Sequence, residues 1–111
     1  MRRSFPAQAN VYRVANGVAT PYLTGFSFII DLTFGADGSL YVLEFATGAG
    51  LSGPGELWRV KNGARTLVAT GLVAPGSVAL GPDGSFYISN CSIFPGTGPF
   101  PCNGQVVRIP G

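Results

Sequence analysis

The side chains most often used in catalysis are scarce in this sequence. It contains no histidine, and it has five acidic residues and two cysteines among its 111 residues. A Ser-His-Asp triad, a Cys-His dyad and a histidine-ligated metal are therefore excluded within the chain. The chemistry left to these residue types rests on the carboxylates of Asp31, Asp37, Glu44, Glu56 and Asp83 and on the cysteines.

One glycine-rich stretch resembles a nucleotide-binding motif. Residues 48–53, GAGLSG, match the dinucleotide fingerprint GxGxxG letter for letter. That fingerprint needs a helix directly after it, so that the pyrophosphate lies at the helix N-terminus. Here Pro54-Gly55 and then ELWRV follow, and ELWRV predicts a strand. We therefore predict a flexible loop without a nucleotide site.

Two of the carboxylates occupy matching turns. Asp37 lies in GADG and Asp83 in GPDG, where an aspartate side chain typically accepts hydrogen bonds from nearby backbone N–H groups. We predict structural roles for both. Asp31, Glu44 and Glu56 remain as candidates for a functional site.

These turns belong to an internal repeat that organises the whole chain. Residues 11–46 and 57–92 align without a gap at an offset of 46, and 12 of the 36 aligned pairs are identical. Chance at this composition gives about 6% identity, so the match indicates a duplicated structural unit. A third copy begins at VVRIPG, where Arg108 lies 49 residues after Arg59.

Each copy predicts four short strands. LTF and VAL are apolar runs, SLYVLE and SFYIS alternate, and ELWRV and ARTLVAT flank the hairpin turn Asn62-Gly63. A unit of about 40–50 residues with four antiparallel strands has the size of a β-propeller blade. We therefore predict an all-β chain with roughly two blades of an incomplete propeller.

The predicted organisation follows from the repeat boundaries. It comprises an N-terminal extension at 1–9, and a partial propeller at 10–111 with the outer strands of one blade at 10–28, a complete blade at 29–75 and the inner strands of the next blade at 76–111. Propellers close with about four to eight blades. The expected partners are therefore the remaining blades of a propeller or identical subunits.

Composition and charge agree with this prediction. Gly 17 and Pro 9 disfavour long helices and suit strands joined by tight turns. The net charge of +2 comes from scattered arginines and one lysine, which do not form the basic stripe of a nucleic-acid-binding surface. No apolar run approaches the length of a membrane helix, and the first residues lack the apolar core of a signal peptide.

The blade motif resembles that of the ScyD/ScyE family. The segments LTFGADGSLYVLE and VALGPDGSFYISN, followed by GELWRV and GQVVRI, match its pattern of an apolar strand, a Gly-x-Asp-Gly turn, an alternating strand and an apolar-x-Arg-apolar strand. NHL-repeat and gluconolactonase-like propellers share much of it. The resemblance implies a six-bladed propeller of which this chain is expected to be the C-terminal part. It also implies an extracytoplasmic location, although no signal peptide is visible.

The resemblance to gluconolactonase-like propellers implies a metal site formed by three residues. Such propellers hold a divalent cation at the channel mouth with Glu, Asn and Asp oxygens, donors that suit Ca²⁺. Asp31 begins a first strand, and Glu44 and its repeat mate Asn90 end second strands. We assign these three as candidate ligands, with solvated strand ends as the alternative.

The resemblance to exported proteins also favours a disulfide. Cys91 and Cys102 flank SIFPGTGPFP in the long loop of the second copy, near strand ends. We predict that they are bonded and close this loop. Two reduced cysteines in a cytosolic protein are the alternative.

Three functions remain open from the sequence. The first is a non-catalytic structural or ligand- and protein-binding scaffold of the ScyD/ScyE type. The second is a metal-dependent, gluconolactonase-like hydrolase. The third is a lectin in which three two-blade chains form a six-bladed ring.

Overall fold

The computed structural model describes residues 8–93 and 104–111, over which the chain forms nine β-strands, one short 3-10 turn at Ala49–Leu51 and no α-helix. The strands are β1 (Ala9–Ala15), β2 (Val18–Phe26), β3 (Ile29–Phe34), β4 (Leu40–Glu44), β5 (Gly55–Lys61), β6 (Ala64–Leu72), β7 (Ser77–Leu80), β8 (Phe86–Asn90) and β9 (Gln105–Ile109). The all-β prediction is confirmed. Within the described residues, no helix has the length and apolar character needed to cross a membrane.

The strands form three antiparallel sheets in chain order. We call them the first sheet (β1-β2), the central sheet (β3-β4-β5-β6) and the third sheet (β7-β8-β9). Within each sheet, neighbouring strands are also neighbours in sequence, as short hairpin connections dictate. Over the described residues these sheets do not close into a ring.

Identical two-residue turns set the outer hairpins of the first and central sheets. Asn16-Gly17 has φ angles of 52° and 77°, and Asn62-Gly63 has φ angles of 51° and 78°. Both residues of a type I′ turn need positive φ, which asparagine and glycine tolerate best. The repeat therefore fixes the register of β1 on β2 and of β5 on β6.

The central sheet buries one face against the first sheet. Leu40, Val42 and Val60 point to this side and form a core cluster with Val11 and Phe26 of the first sheet. On β4, residues 40 and 42 share a face because side chains alternate along a strand.

The opposite face of the central sheet packs on the third sheet. Leu43 and Leu57 are fully buried there with Ile88, and the ring of Tyr41 meets that of Phe86 edge-on at a centroid distance of 4.6 Å. Burial on both faces explains why four of the five residues of β4 are buried. The three sheets are thus stacked layers with the central sheet in the middle.

Candidate functional site

Glu44 lies at the end of β4 and is only 4% exposed. Its Oε2 accepts a hydrogen bond of 2.6 Å from the backbone N–H of Ser27, in the link between the first and central sheets. Its Oε1 accepts one of 3.0 Å from the indole N–H of Trp58. Glu44 therefore connects the link between the two sheets to the central sheet, at the end of β4.

The surroundings of Glu44 disfavour its charge. Burial raises the pKa of its carboxyl above the ordinary value of 4.5, and the nearby charge of Glu56 acts in the same direction. The hydrogen bonds from Ser27 and Trp58 and the charge of Arg65 lower this pKa and only partly oppose the effect of burial. Glu44 thus carries its proton to a higher pH than an exposed glutamate does.

A shallow cleft of about 320 Å³ opens beside this carboxylate. Thr47, Glu56 and Arg65 contribute to its lining. The Arg65 guanidinium lies 4.1 Å from the centre of the Phe26 ring and donates to the carbonyl oxygen of Thr24. Arg65 is therefore held in place as a lid on the buried ring.

Asn90 repeats the arrangement of Glu44 in the third sheet. It ends β8, and its Oδ1 accepts a hydrogen bond of 2.8 Å from the backbone N–H of Val73. Its Nδ2 donates to Oε1 of Gln105 across the strand pair at 3.0 Å. Asn90 therefore ties the link between the central and third sheets, without a titratable group.

We call a side-chain oxygen that accepts a main-chain N–H from a neighbouring sheet, or from the link between two sheets, a joint. Asp31 forms a different joint between the central and third sheets. Its Oδ2 accepts a hydrogen bond of 2.9 Å from the backbone N–H of Val78, and its Oδ1 accepts one of 2.8 Å from Leu32. The residue thus connects the first strands of two successive sheets, β3 and β7.

The three candidate metal ligands therefore lie at three different joints. The four carboxylate oxygens of Asp31 and Glu44 and the amide oxygen of Asn90 each accept a hydrogen bond. In the part of the chain that the structure describes, no group of three or more His, Cys, Asp or Glu side chains is arranged to hold a metal. A Ca²⁺ site at these residues stays a prediction, and a cation there would have to compete with these bonds. The alternative of solvated strand ends is wrong for Glu44 and Asn90, which are both buried.

The turn aspartates have the predicted structural role. Oδ1 of Asp37 accepts from the N–H of Ser39, and Oδ1 of Asp83 accepts from that of Ser85, both at 3.0 Å. The hydrogen bond from Ser39 is the largest cause that lowers the pKa of Asp37 well below its ordinary range, and hydrogen bonds from Arg59 and Lys61 add to it.

The arginine partners of these aspartates were not predicted. Arg59 bonds Asp37 at 2.9 Å, and Arg108 bonds Asp83 at 3.1 Å. The signal was present in the repeat, because an arginine recurs at the same place in the third strand of each copy. Its pairing with the turn depends on the register of the second strand on the third, which places Tyr41 opposite Arg59 and Tyr87 opposite Arg108.

The GAGLSG segment is a loop, as predicted. It contains the 3-10 turn at Ala49–Leu51, and the strand β5 follows it from Gly55. A helix of the kind that binds pyrophosphate does not follow it.

The structure describes only one of the two cysteines of the predicted disulfide. Cys91 is fully buried directly after β8. Cys102 lies outside the described residues, so the bond between Cys91 and Cys102 stays a prediction.

Comparisons with protein-family models, with curated proteins and with solved structures each found no match to this chain. Its function is therefore inferred from the geometry of the sheets and of the joints between them.

Proposed function

We propose that this chain is a segment of a ScyD/ScyE-like β-propeller, in which each sheet is a blade, and that it acts as a non-catalytic scaffold. Its partners are further sheets of the same kind. The observation that carries the proposal is that the two faces at the ends of the stack reproduce the two faces that the central sheet buries.

The outer face of the first sheet carries exposed side chains whose repeat mates in the central sheet are packed against a neighbouring sheet. Val14 is 68% exposed, whereas its repeat mate Val60 is 6% exposed in the core against the first sheet. Tyr12 is likewise exposed, whereas its mate Trp58 packs against the same core. The exposed face of the first sheet is therefore equivalent to the face of the central sheet that the first sheet covers.

The outer face of the third sheet shows the complementary relationship. Leu57, opposite Leu43 in the central sheet, is fully buried, whereas Val106, at the same register opposite Ser89, is 72% exposed. The exposed face of the third sheet is therefore equivalent to the face of the central sheet that the third sheet covers.

Each sheet packs on the next in the same way, which favours further sheets at both ends of the stack. Burying apolar surface contributes about 25 cal/mol per Å², so exposed valine and tyrosine faces favour association with matching faces. Repeat architectures of this type bury their faces only against neighbouring units. The carboxylates of Asp31 and Glu44 fit a scaffold, because they hold main-chain N–H groups at the joints.

Charge placed on either end face tests the proposal. We expect Val14→Asp and Val106→Asp to weaken self-association in sedimentation velocity by at least about tenfold, because burying a valine is worth about 1.5–3 kcal/mol. Val18→Asp is the matched control, since Val18 is exposed and its repeat mate Ala64 is exposed in the central sheet too. Equal behaviour of the three variants would contradict the proposal.

A further inference from the structure

We propose that Glu44 and Glu56 form a proton-binding pair beside the joint between the first and central sheets, in which protonated Glu44 donates a hydrogen bond to the carboxylate of Glu56. We call these two residues the carboxyl pair. Both lie in the central sheet, so the inference does not depend on further sheets at the ends of the stack. Three observations carry it: the register of the two glutamates, the amide pair at the equivalent place in the third sheet and the burial of Glu44 beside a cleft.

The first observation is the register of β4 on β5. Glu44 ends β4 and lies directly opposite Glu56 of β5. Residues directly opposite each other on antiparallel strands have Cβ atoms about 4.5–5.5 Å apart, and like charges at such a pair are destabilising. A single proton on the carboxyl pair removes this repulsion and supplies the donor for a hydrogen bond across the two strands.

The second observation is the amide pair that occupies the same register in the third sheet. Asn90 ends β8 opposite Gln105 of β9, and its Nδ2 donates to Oε1 of Gln105 at 3.0 Å. Its Oδ1 accepts from the N–H of Val73, just as Oε2 of Glu44 accepts from that of Ser27. An amide accepts and donates at once, whereas an ionised carboxylate only accepts. Protonated Glu44 therefore has the hydrogen-bonding capacity that Asn90 uses.

The third observation is the setting of the two carboxyl groups. Glu44 is buried, and its oxygens each accept one hydrogen bond, from the backbone of Ser27 and from the indole of Trp58. A protonated oxygen of Glu44 can still accept such a bond while its O–H points into the cleft that Glu56 also lines. Oε2 of Glu56 accepts from the Thr70 hydroxyl at 3.0 Å. Oε1 of Glu56 is therefore the acceptor for the proton of Glu44.

The charges around the cleft leave the proton on Glu44. In the part of the chain that the structure describes, Glu56 of β5 and Arg65 of β6 are the other charged residues that line the cleft, and the first sheet lines it with side chains that do not titrate. Arg65 lies over the ring of Phe26 and donates to the carbonyl oxygen of Thr24, and no ion pair among the described residues joins it to either glutamate. Burial and then the charge of Glu56 raise the pKa of Glu44, and the charge of Arg65 only partly opposes them.

The carboxyl pair makes one contact between neighbouring strands sensitive to pH. As the pH rises, Glu44 releases its proton to water, the hydrogen bond across β4 and β5 is lost, and two carboxylates remain side by side. The amide pair of Asn90 and Gln105 keeps its hydrogen bond over the same pH range, because neither side chain titrates. The same register thus carries a pH-sensitive contact in the central sheet and a pH-insensitive one in the third sheet.

The sequence allows a selective test, because Glu44 and Glu56 are its only glutamates and Trp58 is its only tryptophan. The full chain is labelled with carbon-13 at the glutamate carboxyl carbon, and the two signals are followed by NMR as the pH is raised. We expect both signals to move in one common step, because release of the proton changes the hydrogen bonding of both carboxyl groups. The fluorescence of Trp58 should change in the same step, since its indole N–H donates to Oε1 of Glu44.

Two variants with the same change of net charge complete the test. We expect Glu56→Gln to move the Glu44 step to lower pH, because the facing charge is gone. Asp83→Asn removes a carboxylate of the third sheet and should leave the Glu44 step where it is. A Glu56 signal that stays constant through the Glu44 step, or an unchanged Glu44 step in Glu56→Gln, would overturn the carboxyl pair. Circular dichroism checks that each variant folds, and the two wild-type signals decide alone if Glu56→Gln does not.

Discussion

Glu44 and Asn90 occupy the same place in two successive sheets, and each accepts a hydrogen bond from the backbone N–H of the residue 17 positions before it. The donors, Ser27 and Val73, lie in the links that lead from one sheet to the next. The joint between sheets is therefore a repeated device, made once with a carboxylate and once with an amide. Of these two joints, only the one made by Glu44 carries a group that titrates.

The pH response of the Glu44 joint is the first prediction. Because burial raises its pKa in the folded chain, the folded protein keeps this proton over a pH range in which the unfolded chain has released it. The free energy of unfolding should therefore fall as the pH rises from about 4.5 through the folded-state pKa. We expect Glu44→Gln to reduce this slope in urea denaturation between pH 4 and 7.

Asn90 provides the matched control for that measurement. Asn90→Asp introduces a carboxylate at the equivalent joint, and we expect the downward slope of stability with pH to become steeper. An unchanged slope in Glu44→Gln would show that Glu44 does not control the pH dependence of the fold.

The joint made by Asp31 yields the second prediction. In a chelator, we expect Asp31→Ala to lower the free energy of unfolding by about 1–3 kcal/mol, because the part-buried N–H of Val78 loses its acceptor. Asp31→Asn retains an acceptor oxygen and should cost less. A loss that appears only when Ca²⁺ is present would instead assign Asp31 as a metal ligand.

The third prediction compares repeat mates of opposite burial. Leu57→Ala empties a fully buried position between the central and third sheets, and we expect it to cost about 2–5 kcal/mol of unfolding free energy. Val106→Ala, at the equivalent exposed position, should change the stability of dilute protein by less than about 0.5 kcal/mol. Comparable losses in urea denaturation would contradict the stacking order described above.

The turn aspartates supply the fourth prediction. Their folded-state pKa values are lowered, so the stability they contribute is present above the ordinary value of 3.8 and is lost as the pH falls below it. Asp37 binds both Arg59 and Lys61, whereas Asp83 binds Arg108. Asp37→Asn should therefore lower the thermal midpoint at pH 7 more than Asp83→Asn does, and a reversed order would contradict this assignment.

Much of the local structure could be predicted from the sequence. The offset of 46 located the strands of each copy, the Asn-Gly pairs predicted the hairpins, and the turn aspartates received their role. These features depend on residues close together in the chain, where turn geometry and side-chain alternation decide the outcome.

The joints could not be predicted in the same way. Asp31 meets Val78 at a separation of 47 residues, and Glu44 meets a main-chain N–H in a link between sheets. Such contacts depend on how one sheet is rotated on the next, which the repeat does not specify. The residue types allowed metal binding and main-chain bonding alike, and the structure shows the second.

The proposed function requires further sheets to cover both ends of this three-sheet stack. The most direct test is the solution mass of the purified, folded chain by light scattering from micromolar to submillimolar concentration. We expect a mass above the 11.5 kDa of one chain, rising with concentration as end faces associate. A monodisperse 11.5 kDa monomer with a cooperative unfolding transition over the whole range would contradict the proposal.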